Sequence, residues 1–433
     1  MERNIGSGAA GQPDPNRDQL VELIRRLADP ALVAVAPHWR RDPGKPDRLR
    51  QLLGDGLRAI VGCLARRRRV VLMGEGLRAA SGPAVIRRDP GIRALLAALG
   101  ARNPVLAVPS CAASMDRFCA AIGLDPADEV EVLLSANAAL TLTGRANGCA
   151  VIGHVAIGDH GLASLRRHRT GLARARAARL PAAVEILLPR PVVSPDPDRV
   201  FLQTRLPGRP MTDLPLTEER LADCLDAAAT PLWHLHDHGA AAGALPDLAG
   251  LRQMLLTIPE QLPRHARDLA GRAAGRAAAW LARRAMHAVA VHGDYWPANI
   301  LVGDDLRPRG LVDWEWFRPR GLPGYDALYL LVTTLAHARG APLARVMRQI
   351  WIEEERGTAF RGVHRRIARR TGFSAGDMGC LGLVLWLAVI RRTVIDTRSP
   401  GDHWLPAFLA DTAPAVEAFL RTREAAPAGD AVA

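Results

Sequence analysis

From Glu129 onward the chain changes texture: short apolar strands joined by tight turns run to Arg205, and after Leu206-Pro-Gly-Arg-Pro210 the apolar residues recur with helical spacing. Such a change demands two packing schemes, because a strand buries every second residue and a helix every third or fourth. Glu131–Leu134, Ala139–Thr143 and Cys149–Ile157 read as three antiparallel strands, and Ala146-Asn147-Gly148 between the last two suits a two-residue hairpin turn. An Arg-rich helix is expected from about Leu162 to Arg179, followed by strands at Ala183–Leu188 and Val200–Arg205. The plan is α+β and two-lobed. A small antiparallel-sheet lobe covers 129–205 and a large helical lobe covers 206–424.

Before it, residues 17–128 read as a mainly helical N-terminal extension, interrupted by apolar strands near Val70–Met73 and Pro104–Val108. The ends, 1–16 and 425–433, are polar or small-residue stretches expected to lack order. Gly74-Glu-Gly-Leu-Arg follows a strand but has Ala at position 79 where a dinucleotide fingerprint needs its third glycine, so a tight turn is expected.

The net charge of +13 is almost wholly arginine, with Lys45 the sole lysine, and it is spread along the chain rather than gathered into a stripe with aromatics. No nucleic-acid partner is expected from that distribution. Cys63, Cys111, Cys119, Cys149, Cys224 and Cys380 form no CxxC pair, so neither a zinc site nor a disulfide framework is implied. Leu381–Ile390 is the longest apolar run, well short of the roughly 20 residues that span a bilayer, and reads as a buried helix. Without a secretory leader pattern either, the expected location is cytoplasmic.

The chemistry concentrates in Val289-Ala-Val-His-Gly-Asp294-Tyr-Trp-Pro-Ala-Asn299-Ile-Leu-Val302 and Gly310-Leu-Val-Asp313-Trp-Glu315. Ile300–Val302 and Leu311–Val312 form a hairpin about Gly303-Asp304-Asp305, which brings Asn299 beside Asp313. A loop carboxylate, an amide oxygen and a second carboxylate are what nucleotide phosphoryl transfer asks of a protein: one group orients the attacking hydroxyl, and the others fix Mg²⁺ on the phosphates.

The HGDxxxxN pattern at His292–Asn299, followed by a strand ending in Asp313-Trp-Glu315, resembles the aminoglycoside phosphotransferase and choline kinase group of the protein-kinase-like fold. The resemblance covers about residues 130–420 and takes in Leu206-Pro-Gly208, Leu235-His236 and Gly324-Tyr-Asp326. It implies ATP or GTP as co-substrate, Mg²⁺, and a small-molecule hydroxyl acceptor. Asp294 would be the catalytic base or hydroxyl-orienting group, Asn299 and Asp313 the Mg²⁺ ligands, Glu315 a further ligand, and Asp326 a structural residue. The acceptor-side lobe has more arginine than acid, Arg391 and Arg392 included, which points away from a polycationic aminoglycoside and towards a neutral or anionic sugar, lipid or metabolite.

Two departures stand out. His154 falls where the family carries a phosphate-contacting lysine, and Leu165-Arg-Arg-His-Arg169 has no acid where its glutamate partner belongs. Leu134-Ser-Ala-Asn137-Ala138 occupies the place of a glycine-rich phosphate loop and has no glycine, which leaves Asn137 and nearby backbone N–H groups as phosphate contacts. The alternative is thus a kinase fold that has lost efficient transfer and serves in binding or regulation. His234-Leu-His-Asp-His238 could pair at most His234 with His238 on one helix face, and reads as a helix ending at Gly239.

Overall fold

The structure is a computed structural model that describes residues 85–87, 123–125, 129–134, 139–156, 158–194, 196–243, 245–392 and 404–422. The turn at Gly74, the strands near 70–73 and 104–108, Asn137 and both chain ends lie outside the described residues. The described residues fall into two compact units, one with those up to Arg166 and those within Pro191–Arg205, the other with those of Arg167–Arg190 and from Leu206 onward.

In the first unit β1 (Val85–Arg87), β2 (Glu129–Leu134), β3 (Ala139–Ala146), β4 (Cys149–Ala156), β5 (Pro191–Val192) and β6 (Val200–Thr204) form one sheet. Their order is β1-β2-β3-β4-β6-β5, every pairing antiparallel. The β3–β4 hairpin closes on Asn147 and Gly148 at φ 51° and 75°, the primed turn that matches strand twist. Asp125 secures it, accepting the Asn147 and Gly148 N–H groups at 3.1 and 2.9 Å. Along β4, Val151, Gly153 and Val155 are buried while Ile152 and His154 on the other face are half-buried. Val85–Arg87, inside the stretch expected to be mainly helical, is instead a strand paired on β2.

Helix α1 (Gly158–Ala177) runs from the first unit into the second. The strand expected at Ala183–Leu188 is not formed. Pro181 precedes a short helix, α2 (Ala182–Glu185), and the chain then turns. Val184, Leu187 and Leu188 are the buried residues there, and their i, i+3, i+4 spacing is helical rather than alternating.

The second unit holds a short three-stranded sheet of β7 (Arg209–Pro210), β9 (Ile300–Val302) and β10 (Pro308–Leu311), in the order β10-β9-β7. A two-stranded ribbon pairs β8 (Val289–Val291) with β11 (Arg318–Gly321). Around them lie α3 (Glu218–Ala242), α4 (Leu248–Thr257), α5 (Arg264–Arg283), α6 (Tyr325–Ala338), α7 (Leu343–Met347), α8 (Thr358–Thr371), α9 (Ala375–Ile390) and α10 (Trp404–Arg421). The alanine face of α5, with Ala266, Ala270, Ala273 and Ala277 buried, lets α9 pack closely against it. Helix α9 is buried along almost its whole length, as the apolar run implied, and starts in a Ser374–Asp377 capping box. No single helix among the described residues is long and apolar enough to cross a membrane.

Helix α3 does not end at Gly239. It continues to Ala242 because glycine there admits the passing backbone, where a Cβ would sit 2.2 Å from the Ala288 carbonyl. Of the three histidines on α3, His236 is buried and meets His287 Nε2 to Nε2 at 3.2 Å, whereas His234 and His238 are exposed.

Candidate active site

Strand β8 delivers His292 and Gly293 into a turn that only a few contacts could hold, since Gly293 sits at φ 81°. A side chain there is doubly excluded, by that φ and by the Trp316 carbonyl 2.5 Å from where a Cβ would be. Asp326, in the first turn of α6, accepts the N–H groups of His292 and Gly293 at 2.6 and 3.0 Å. Burial pushes its carboxyl up to about 7, against the pull of those two donors. The His292 ring lies within the bend, its Nε2 at 2.9 Å from the Val312 carbonyl and its Nδ1 accepting the Asp294 N–H at 3.3 Å. That pair of contacts requires the Nε2–H tautomer. Burial lowers the ring's pKa to about 4, so it is neutral.

Past Asp294 the loop is anchored by Tyr295, whose hydroxyl donates to the Ala228 carbonyl of α3 at 2.7 Å. A single 3-10 turn, Pro297–Asn299, then rotates Asn299 back toward the loop. Its Nδ2 donates to the Asp294 carbonyl at 3.0 Å and to Asp294 Oδ2 at 3.3 Å, which turns Oδ1 away as a spare acceptor. Across the hairpin the Val312 N–H donates to the Asn299 carbonyl at 3.0 Å. The next residue, Asp313, adopts φ 66°, a left-handed backbone that Asp tolerates better than most residues. Trp314 is fully buried beside His292 and donates its Nε1–H to the Leu311 carbonyl at 2.8 Å, so it packs rather than stacks on a ligand.

The second half of α1 presses on this segment. At Gly171 a Cβ would stand 2.0 Å from the Trp314 carbonyl, so glycine is what permits the approach. One turn earlier, Arg167 Nε lies 3.4 Å from Glu315 Oε2, and His168 Nδ1 lies 3.4 Å from Asp313 Oδ1. The acid-free stretch 165–169 therefore brings a cation and an imidazole to the two carboxylates of the DxE segment. Desolvation raises the Glu315 pKa, and Arg167 opposes that rise.

One contact lies far away in sequence. Arg392, just past α9, pairs with Asp294 Oδ1 through NH1 and donates to the Gly293 carbonyl through NH2 at 2.6 Å. Its guanidinium lies over the rings of Trp316 and Tyr329, 5.3 and 5.5 Å from their centroids. Burial works against this charge, but Asp294 and the Tyr329 and Tyr325 hydroxyls more than offset it and hold the guanidinium protonated.

Asp294, Asn299, Asp313 and Glu315 thus converge within the second unit. His154 belongs to the first unit, where its ring meets Thr141 Oγ1 at 3.2 Å and the Gln203 amide nitrogen at 3.3 Å. Desolvation lowers its pKa to about 4, leaving a neutral imidazole rather than a cation. Arg167, His168 and Arg392 were missed as members of the cluster. The signal for the first two was a basic helix without its expected acid. Nothing local signals Arg392.

A family model described as "Phosphotransferase enzyme family" matches residues 158–361. Over that stretch the chain is similar to the phosphotransferase enzyme family. Among solved structures, the chain is similar to a thermostable mutant of aminoglycoside phosphotransferase APH(4)-Ia in ternary complex with AMP-PNP and hygromycin B. The two are 16% identical with a TM-score of 0.44, covering 69% of this chain and 95% of that one. It is also similar to aminoglycoside phosphotransferase APH(3'')-Id from Streptomyces rimosus, at 19% identity and TM-score 0.39, over 60% and 92% of the two chains. Macrolide 2'-phosphotransferase MphH from Brachybacterium faecium gives 18% identity and TM-score 0.38, over 72% and 97%. No curated protein matches the chain.

Proposed function

We propose that the protein transfers the γ-phosphoryl group of ATP or GTP to a hydroxyl of a small molecule. The observation that carries this reading is the hydrogen-bonded set Asp294, Asn299 and Val312, with Asp313 next in the chain, on one loop and the short hairpin that follows it. The acceptor hydroxyl oxygen attacks the γ-phosphorus, the bond to the β-phosphate oxygen breaks, and the nucleoside diphosphate leaves. Asp294 orients the hydroxyl and receives its proton, which then passes to solvent. Asn299 holds Asp294 in place through Nδ2, and His292 and Asp326 hold the turn that carries it.

The donors suit Mg²⁺. Asn299 Oδ1 and the Asp313 carboxylate are hard oxygens. That sparse set matches an ion that keeps most of its waters and takes further ligands from phosphate. When bound, Mg²⁺ neutralises phosphate charge and aligns the transferring group. Glu315 would be a further ligand, with Arg167 Nε 3.4 Å from its Oε2.

One observation favours a second reading, a kinase-fold binding protein without efficient transfer. The imidazole of His154, at the place of the family's lysine, is neutral and hydrogen-bonded within its own sheet. Release of ADP or GDP from MgATP or MgGTP, followed over a panel of hydroxyl compounds, separates the two. Acceptor-dependent release that vanishes in Asp294→Ala supports the transferase. Nucleotide binding with no release over any acceptor supports the binding protein.

A further inference from the structure

Arginine is abundant in this chain, and among the described residues most of it is solvated; Arg307, for example, is 81% exposed at its side chain. Arg392 is held differently. Its side chain is 25% exposed, lies over two aromatic rings, and is bonded to the carboxylate proposed to orient the acceptor hydroxyl. Trp316, one of those rings, also faces the guanidinium of Arg167 at 5.8 Å from its centroid. The position fixes a positive charge where the acceptor must come.

Two physical consequences follow. A cationic acceptor reaching for Asp294 Oδ2 would meet a like charge already bonded to Oδ1. An anionic group beside the reacting hydroxyl would find an arginine already oriented, so little ordering entropy is lost on binding it. A guanidinium carries five N–H donors in a planar fork. The contacts to Asp294, Gly293 and Tyr329 occupy three, with the Tyr329 hydroxyl at 3.3 Å from NH1. Capacity remains for a further oxygen.

We propose that Arg392 determines acceptor specificity: the acceptor carries an oxyanion, carboxylate or phosphate, next to the hydroxyl that Asp294 orients, and Arg392 binds that oxyanion while keeping its bond to Asp294. This inference rests on the phosphotransferase reading for the role of Asp294, and it adds the charge class of the substrate.

The test uses the full chain and four related hydroxyl probes: D-glycerate (carboxylate), glycerol 3-phosphate (phosphate), glycerol (neutral) and serinol (cationic). Calorimetry reads binding, and ADP release from MgATP reads transfer. The expected result is that one or both anions bind more tightly than glycerol and serinol, the two anions telling carboxylate from phosphate recognition. Arg392→Gln should weaken anion binding on the order of 10- to 100-fold, as loss of a charge-assisted hydrogen bond does, and weaken glycerol binding by clearly less. Arg392→Lys should recover part of the anion affinity, because it restores the charge without the fork. A purely structural role would weaken all four probes together. Failure of both anions to bind, serinol or glycerol binding as tightly as the anions, or anion binding unaffected by Arg392→Gln in a protein with wild-type circular dichroism would overturn the proposal. Anion binding through Arg392 with no ADP release on any probe counts against the transferase reading alone. ADP release with serinol but with neither anion counts against this inference alone.

Discussion

The Val312 N–H donates to the Asn299 carbonyl at 3.0 Å, and that bond ties the end of the candidate catalytic loop to the residue before Asp313. The two candidate Mg²⁺ ligands are therefore positioned by backbone rather than by side-chain packing. Asp313 itself sits at φ 66°, between that bond and the buried Trp314.

Asp294→Asn keeps the shape and an acceptor for Arg392 but removes the carboxylate. Transfer to any acceptor should fall by on the order of 10²- to 10⁴-fold, with the far-ultraviolet circular dichroism unchanged. A variant as fast as wild type would remove Asp294 from the reaction.

Asp326 supports the turn rather than the chemistry. Asp326→Ala leaves the His292 and Gly293 N–H groups buried without acceptors, at a cost of about 2–4 kcal/mol. Asp326→Asn, which keeps one carbonyl oxygen, should lose less. Urea denaturation of the three proteins measures both, and equal stability of Asp326→Ala and wild type would contradict the assignment.

The close approach of α1 to the Trp314 backbone makes a steric prediction with an internal control. Gly171→Ala must displace α1 or the 313–315 segment, because the new methyl would meet the Trp314 carbonyl at 2.0 Å. It should destabilise by about 1–3 kcal/mol and lower nucleotide-dependent activity. Gly271→Ala, in α5 with nothing within 4 Å of the added atom, should instead stabilise by roughly 0.5–1 kcal/mol. Thermal denaturation of the two variants side by side checks the sign of each.

Three histidines, His154, His292 and His364, are held neutral by desolvation with pKa values of about 4. The unfolded chain protonates its histidines near pH 6.5, so between about 6.5 and 4 it binds protons that the native state does not. Stability contributed by these groups is present above that window and is lost as pH falls through it. Asp326 acts in the opposite sense: raised to about 7, it holds a proton in the native state, so its contribution declines as pH rises from about 4 to 7. Three groups outweigh one, and Tm should fall on acidification from 6.5 to 4. His364→Met should flatten that fall by roughly 1–2 kcal/mol over the window. A Tm that climbs on acidification would contradict the neutral-histidine account.

Much of this arrangement was legible in the residues because it is local. Asn147-Gly148 dictates its hairpin turn, and the short spacing from His292 to Asn299 and on to Asp313 confines the cluster to one loop and one hairpin. Ala183–Leu188 was misread because a short, mostly apolar stretch does not reveal its period until Val184, Leu187 and Leu188 are seen buried together. The end of α3 was misplaced for a different reason: Gly239 stops a helix in isolation but here accommodates the Ala288 carbonyl. Arg392 was legible only as one of the arginines of the acceptor-side lobe; its bond to Asp294, 98 residues away, was not.

The central claim is that Asn299 and Asp313 hold Mg²⁺ against nucleotide phosphates. Titration of ATP into wild type and Asp313→Asn by calorimetry, with Mg²⁺ present and then with Mg²⁺ removed by chelation, tests it most directly. Wild type should bind ATP with Mg²⁺ and lose most of that affinity without it. Asp313→Asn should bind weakly in both conditions, by on the order of 10- to 100-fold relative to wild type with Mg²⁺, as expected when a charged ligand interaction is removed. Mg²⁺-dependent ATP affinity undiminished in Asp313→Asn would contradict the account.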